Sequence, residues 1–129
     1  MYIELTREQI VEIHDMYLNE FGGLSGEKEP GLISFMAEKP FTEYFGEEQY
    51  PGLFMKAAVY LEGFATKQLF NDGNKRTALA CALIYLELNG YYITEQYELE
   101  LYEYTIYVAE NKPLLEEIAS WLKARSMPY

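Results

Sequence analysis

Residues 68–88 read QLFNDGNKRTALACALIYLEL, a polar turn that leads directly into the most apolar run of the chain. The turn contains Asn71-Asp72-Gly73, a combination that favours a bend. The residues from about Asn74 to Leu88 then predict a helix that is apolar nearly all round. Such a helix is buried, so we expect it to be the central helix of a bundle.

Asp72 to Arg76 carry groups suited to holding a phosphate. The first turn of a helix leaves backbone N–H groups unpaired, and the helix dipole makes that end positive. Gly73 allows close approach, Asn74 can donate an amide hydrogen bond, and Lys75 and Arg76 add charge. Asp72 is suited either to capping the helix or to holding Mg²⁺ against the phosphates. A capped helix start with surface cations explains the same residues equally well.

Further segments predict helices on both sides of the apolar run. Thr6-Arg7-Glu8-Gln9 is a capping box, and an apolar stripe follows it to Phe21, where Gly22-Gly23 ends the helix. Gln68 is expected one turn beyond Ala65, on the same face of a helix that Pro51 opens. The other predicted elements are helices from Pro30 to about Met36, from Thr94 to about Glu110 and from Pro113, and an extended segment from Tyr91 to Ile93.

Residues 39–50 carry no regular pattern and are interpreted as either a flap over a site or a packed loop. The whole pattern predicts an all-α fold, a helical bundle in a single domain spanning residues 1–129.

The composition limits the function classes. The net charge is −11, which argues against a nucleic-acid partner because a phosphate backbone needs clustered cations. Lys67, Lys75 and Arg76 are the exception, a local positive cluster that suits a small anionic ligand. No run is apolar enough to span a membrane, and the first residues lack the features of a signal peptide. We therefore expect a cytoplasmic protein with no membrane association.

The chain has one cysteine and one histidine, and both are expected to be structural residues. Cys81 is the one cysteine, which excludes an intrachain disulfide, and its apolar neighbours predict a buried small hydrophobe. His14 is the one histidine and lies on or beside the apolar stripe of the first helix. Because no second ligand stands at metal spacing from it, we expect His14 to be a hydrogen-bonded core residue.

The turn resembles the motif of the Fic/Doc family, His-x-Phe-x-Asp-Gly/Ala-Asn-Lys-Arg, and in particular that of the death-on-curing (Doc) toxins. Phe70 and the run from Asp72 to Arg76 match it. The flanking sequence agrees as well, at Ile13-His14-Asp15, Gly22-Gly23, Pro30-Gly31-Leu32, Tyr50-Pro51 and Leu86-Glu87-Leu88-Asn89-Gly90. The resemblance thus covers nearly the whole chain.

This resemblance implies a Fic fold that binds ATP with Mg²⁺. By the same resemblance, Asp72 would hold the metal, Asn74, Lys75 and Arg76 would hold phosphates, and Gly73 would leave room for them. Fic proteins transfer AMP to a protein hydroxyl, whereas Doc toxins transfer the terminal phosphate to a threonine of elongation factor Tu. Lys75 stands where Fic proteins have a second glycine and favours the Doc reaction. The implied partner is a small antitoxin of the Phd type.

The chain departs from the motif at Gln68, which occupies the position of the family's catalytic histidine. Glutamine has no titratable nitrogen, and losing a general base costs on the order of 100- to 10,000-fold. A milder departure is Lys28-Glu29, where many relatives have Arg-Asp. Four interpretations follow: a Doc-like toxin impaired by Gln68, a phosphotransferase that needs no base, an AMP-transferring enzyme, or a non-catalytic nucleotide- or protein-binding module. His14 is not expected to substitute as the base.

Overall fold

A computed structural model of the chain describes residues 2–24, 26–28 and 31–129. The described residues form six helices, α1 Arg7–Phe21, α2 Leu32–Glu38, α3 Leu53–Thr66, α4 Asn74–Leu88, α5 Glu98–Asn111 and α6 Leu115–Arg125. Short strands accompany them, β1 Glu43–Tyr44, β2 Glu47–Glu48, β3 Tyr91–Ile93 and β4 Ser126–Pro128. The predicted all-α fold is confirmed.

The first helix forms as its capping box predicts. The Gln9 N–H donates to Thr6 Oγ1 at 3.1 Å, and the Thr6 N–H donates to Gln9 Oε1 at 2.9 Å. The helix ends at Gly22, which has a φ of 78° that a residue with a side chain rarely adopts. Ile10, Ile13 and His14 are its buried residues, so α1 lies against the core along the predicted stripe.

Helices α3 and α4 form the centre of the bundle. The apolar run of α4 is buried at Thr77, Ala78, Ala80, Cys81, Ala82, Tyr85 and Leu86. Helix α3 is buried along still more of its length, from Lys56 to Leu61 without interruption. Small residues such as Ala57 and Ala58 allow α3 to pack closely, as its sequence predicts. The predicted burial of Cys81 is confirmed, and this burial raises the pKa of its thiol.

Several predicted boundaries move by a few residues. Helix α3 begins at Leu53 rather than Pro51, because Gly52 still has a φ of 91°. A 3₁₀ turn, Glu95–Tyr97, precedes α5, and α6 begins at Leu115. The predicted start of the second helix at Pro30 lies outside the described residues. The extended segment Tyr91–Ile93 is confirmed as β3, and it pairs with β4 in the last residues of the chain.

Residues 39–50 contain a 3₁₀ turn, Lys39–Phe41, and the antiparallel hairpin of β1 and β2. The hairpin is attached to α3 by Lys56, a buried lysine whose Nζ donates to Glu48 Oε1 at 2.8 Å and to the Tyr50 carbonyl oxygen at 2.6 Å. Phe45 at its tip is fully exposed. This segment is thus more regular than the sequence predicts. Among the described helices, none has the length and hydropathy that crossing a membrane requires.

Candidate functional site

The site is built on the connection between α3 and α4. Helix α3 ends at Thr66, and Gln68 has a left-handed φ of 50°. The prediction that Gln68 continues the helical face of Ala65 is therefore wrong. The next two residues, Leu69 and Phe70, are both buried, so the chain leaves the helix at this point and returns to the core.

After Gln68 the chain runs alongside the described part of the loop that follows α1. The Lys28 N–H donates to the Leu69 carbonyl oxygen at 2.9 Å, and the Asn71 N–H donates to the Gly26 carbonyl oxygen at 3.1 Å. Glu27 lies opposite Phe70 in an isolated antiparallel bridge. This short strand pairing fixes residues 26–28 against the motif, so Lys28 arrives beside Gln68.

Asn74 closes the turn through both ends of its side-chain amide. Its Oδ1 accepts from the Phe70 N–H at 3.0 Å, and its Nδ2 donates to the Phe70 carbonyl oxygen at 3.0 Å. The second Nδ2 hydrogen remains for a ligand, since a primary amide has two donors. Asn74 therefore shapes the turn, in addition to the phosphate contact that the sequence predicts for it.

His14 packs against the turn from the core of the protein. Its ring is buried, with 1 % exposed, and stacks on Phe70 with centroids 3.7 Å apart and an angle of 8° between the planes. Its Nε2 donates to the main-chain oxygen of Asp72 at 2.7 Å. A carbonyl oxygen can only accept, so Nε2 carries the proton and is not available as a base. The prediction of a hydrogen-bonded core histidine is confirmed.

The Asp72 carboxylate lies at the surface, between the two loops. Its Oδ1 accepts from the Gly73 N–H at 2.9 Å, and its Oδ2 lies 3.4 Å from the donating Leu24 N–H. A Cβ added at Gly23 would lie 2.8 Å from Oδ2, so this glycine leaves room for the carboxylate. Asp72 is not the N-cap residue of α4: the N-cap is Gly73, which makes no side-chain cap hydrogen bond.

A cavity of about 350 Å³ opens over the turn. It brings together all the predicted site residues, Gln68, Asp72, Gly73, Asn74, Lys75 and Arg76, with Ala65, Asn71 and Tyr102 completing its lining. Lys75 and Arg76 are exposed, so their charges are free to meet an anion. Gly73 has a φ of 76° as the N-cap of α4, and the first-turn residues Asn74 to Arg76 line the cavity.

Arg76 also borders a second, more apolar cavity of about 450 Å³. Its guanidinium lies over the Phe21 ring at 4.5 Å from the centroid. Tyr102 of α5 lines both cavities and was not predicted, because nothing in the acidic sequence of α5 distinguishes it from a solvated position. Burial raises the pKa of Tyr17 in this second cavity, and the carboxylate of Glu20 adds to the effect, so the phenol stays a neutral donor.

The donor set fits a nucleotide with its magnesium ion better than a metal alone. The described residues contain no group of three or more histidine, cysteine, aspartate or glutamate side chains that could enclose a metal. Asp72 is a single exposed carboxylate beside two cations. Magnesium is commonly held by one or two carboxylates together with substrate phosphates and water, which is the arrangement that this cavity could complete.

The sequence around this turn matches known proteins. A family model described as the Fic/DOC family matches residues 4–86. The chain belongs to the Fic/DOC family. It is 31% identical over 119 residues to "Protein kinase doc" of Escherichia phage P1, covering 92% of each chain. It is 34% identical over 80 residues to "Toxin Doc" of Mycolicibacterium smegmatis, covering 62% of each chain. The predicted family membership is confirmed.

In this Fic/DOC chain, the side chain at the first motif position is engaged by a lysine. Gln68 Oε1 accepts from Lys28 Nζ at 3.3 Å, and both residues are exposed. Sequence reasoning noticed Lys28 only as a departure from the relatives and could not place it beside Gln68. The contact depends on the strand pairing of residues 26–28, which has no local signal in the sequence.

Proposed function

We propose that this chain is the Doc-type toxin of a toxin–antitoxin pair, with a site for ATP and Mg²⁺ and a phosphotransferase fold directed at a protein hydroxyl group. The observation that carries the proposal is the cavity in which Asp72, Lys75 and Arg76 meet the first turn of α4. The relatives named as a protein kinase and as a toxin support it. The proposal treats residues 1–129 as one domain.

Each site residue has a role in this proposal. Lys75 and Arg76 bind phosphate oxygens, and arginine can grip two of them at once. The first-turn N–H groups and the free Asn74 amide hydrogen add donors, while Gly73 leaves the approach open. Asp72 would hold Mg²⁺ together with the phosphates, and the ion would neutralise charge on their oxygens. This set is sufficient to orient a triphosphate without any group at position 68.

Gln68 weakens transfer in this proposal. The hydroxyl that attacks the phosphate must lose its proton, and the glutamine amide cannot accept one at neutral pH. His14 does not replace it, because its ring is buried outside the cavity lining and its Nε2 donates to the Asp72 carbonyl oxygen. The residual rate rests on positioning and charge neutralisation, which dominate phosphoryl transfer through a loose transition state.

The proposed partners follow from the same family relationship. A Phd-type antitoxin would bind the toxin, and elongation factor Tu would supply the acceptor hydroxyl in the cytoplasm. The acidic chain, with a net charge of −11, presents few cations outside the site and so does not favour a nucleic-acid partner.

The test compares the protein with Gln68→His. Each is incubated with Mg²⁺, elongation factor Tu and ATP labelled either in the terminal phosphate or in the α-phosphate. Transfer of the terminal label by Gln68→His, at least about 100-fold faster than by the unmodified protein, is the expected result. Gln96→His serves as the control, because Gln96 is exposed on the 3₁₀ turn before α5 and outside the cavity lining.

Other results assign other functions. Equal transfer by both proteins means that no base is needed and that Gln68 does not impair the enzyme. Transfer of the α-label means an AMP transferase. Absence of transfer together with absence of ATP binding in calorimetry overturns the proposal. It would leave a non-catalytic protein-binding module, which the missing base at Gln68 also favours.

A further inference from the structure

The contact between Lys28 and Gln68 determines which atoms of the Gln68 amide remain for a ligand. Lys28 Nζ lies 3.3 Å from Gln68 Oε1. A lysine ammonium can only donate, so the carbonyl oxygen of the amide, and not its nitrogen, faces Lys28. The two N–H bonds of the amide are thereby left for another acceptor. Gln68 lines the cavity, and an anion there is the acceptor that the neighbouring cations would attract.

The pair is held by the backbone on both sides. Lys28 is fixed by its N–H bond of 2.9 Å to the Leu69 carbonyl oxygen, one residue beyond Gln68. Glu27 next to it is bound by Arg7, whose Nη2 lies 2.8 Å from both carboxylate oxygens. Gln68 itself sits in a left-handed conformation that its neighbours impose. The two side chains therefore start from fixed positions, which lowers the entropy cost of their contact.

The charges of the cavity favour an anion at this point. Among the residues that the structure describes, the cations that line the cavity are Lys75 and Arg76, and its one carboxylate is Asp72. With Asp72 engaged by a metal ion, the remaining groups around the cavity are cations and hydrogen-bond donors, which suits the terminal phosphate of a nucleotide.

We propose that Lys28 is a positioning residue that turns the Gln68 amide so that its N–H groups bind the terminal phosphate. The inference rests on the proposed nucleotide site and deepens it: position 68 becomes a phosphate-binding donor in place of a proton acceptor. The pair strengthens binding of ATP and of inorganic tripolyphosphate alike, because the contact is made to phosphate and not to the nucleoside.

The test measures binding of Mg²⁺–ATP and Mg²⁺–tripolyphosphate by calorimetry. The variants are Lys28→Met, Gln68→Met and the double variant, with Lys28→Arg as the conservative replacement. Lys28→Met and Gln68→Met each weaken binding about 3- to 10-fold. The double variant is no weaker than Gln68→Met, because Lys28 acts through the amide. Lys28→Arg restores binding to within about two-fold, since arginine also donates to Oε1.

Two control variants make the outcomes decisive. Lys123→Met removes a lysine charge from α6 and should leave binding unchanged. Lys123 borders a different cavity, with Gly52 and Leu53 at the start of α3, whereas the site follows the end of α3. Lys75→Met reports on the nucleotide site itself. Additive losses in the double variant overturn the inference, because Lys28 would then act as an independent charge. Loss in Lys75→Met without loss in Lys28→Met also overturns it and leaves the proposed function standing. Absence of binding by the unmodified protein overturns both.

Discussion

Replacing His14 tests whether the turn proposed to bind phosphate depends on a support outside the motif. The ring of His14 stacks on Phe70 at 3.7 Å, and its Nε2 donates to the Asp72 carbonyl oxygen at 2.7 Å. His14→Phe keeps an aromatic ring in the stack and removes the hydrogen bond. His14→Ala removes both. The two variants thus separate the hydrogen bond from the packing.

The expected magnitudes follow from these contacts. A hydrogen bond contributes about 0.5–1.5 kcal/mol net, and the larger phenyl ring must also move away from an oxygen that now lies too close. We expect His14→Phe to lower the free energy of unfolding by about 1–2 kcal/mol. His14→Ala also loses the ring stack and leaves a cavity at a site with 1 % exposure, so its loss is about 3 kcal/mol.

Urea unfolding and native-state hydrogen exchange measure the two effects. For a protein of this size, a loss of 1–2 kcal/mol moves the urea midpoint by about 0.5–1 M. The Asn71 N–H, bonded to Gly26 in the native turn, should exchange faster in both variants than the amides of α6. Met16→Ala is the control, because Met16 is 63 % exposed on the same helix.

Either of two results would refute this reasoning. If His14→Phe is as stable as the unmodified protein, the hydrogen bond to Asp72 contributes nothing. If both variants lose stability but keep the affinity for Mg²⁺–ATP, His14 supports the core and not the turn. The expected result is a loss of affinity in both variants, greater for His14→Ala, because the main chain of Asp72 is then free to shift.

Three further predictions concern neighbouring features. Gly22→Ala and Gly23→Ala should each lower the free energy of unfolding by about 1–2 kcal/mol, measured by thermal unfolding, because both glycines have a positive φ. Only Gly23→Ala should also weaken the Mg²⁺ dependence of ATP binding, because its Cβ would lie 2.8 Å from the Asp72 carboxylate. Lys56→Met should lower the free energy of unfolding by about 1–3 kcal/mol and make the hairpin of β1 and β2 sensitive to limited proteolysis. Unchanged cleavage would contradict the anchoring role of Lys56. Burial raises the pKa of the Cys81 thiol, so iodoacetamide should not label Cys81 in the folded protein at mildly alkaline pH but should label it fully in urea.

Local signals explain which parts of the fold the sequence predicts. The capping box at Thr6 and the apolar run from Asn74 to Leu88 lie within single helices, and both helices form as expected. The end of α3 at Thr66 carries no glycine or proline, so a helix continuing through Gln68 is the natural prediction. The helix ends there for a tertiary reason, because Leu69 and Phe70 both enter the core.

Contacts between distant segments account for what the sequence could not predict about the site. The motif residues are contiguous, so their meeting in one cavity follows from the turn itself. The approach of Lys28 and the hydrogen bond from His14 join residues separated by 40 and 58 positions. No spacing rule connects such pairs, so the sequence predicts that His14 is buried and hydrogen-bonded but not that its partner is Asp72.

In the proposed function, these contacts allow binding and transfer to fail independently. The main chain of the turn is bonded by His14 at Asp72 and by the Asn74 side chain at Phe70, and neither contact involves the Gln68 side chain. A change at position 68 therefore leaves the cations, the glycine and the first turn of α4 where they are. The reverse does not hold, because Gln68 takes its orientation from Lys28, which the Leu69 backbone positions. In the proposed function, the turn therefore still binds phosphate after substitutions that remove the base, whereas a loss of the turn would remove both binding and transfer.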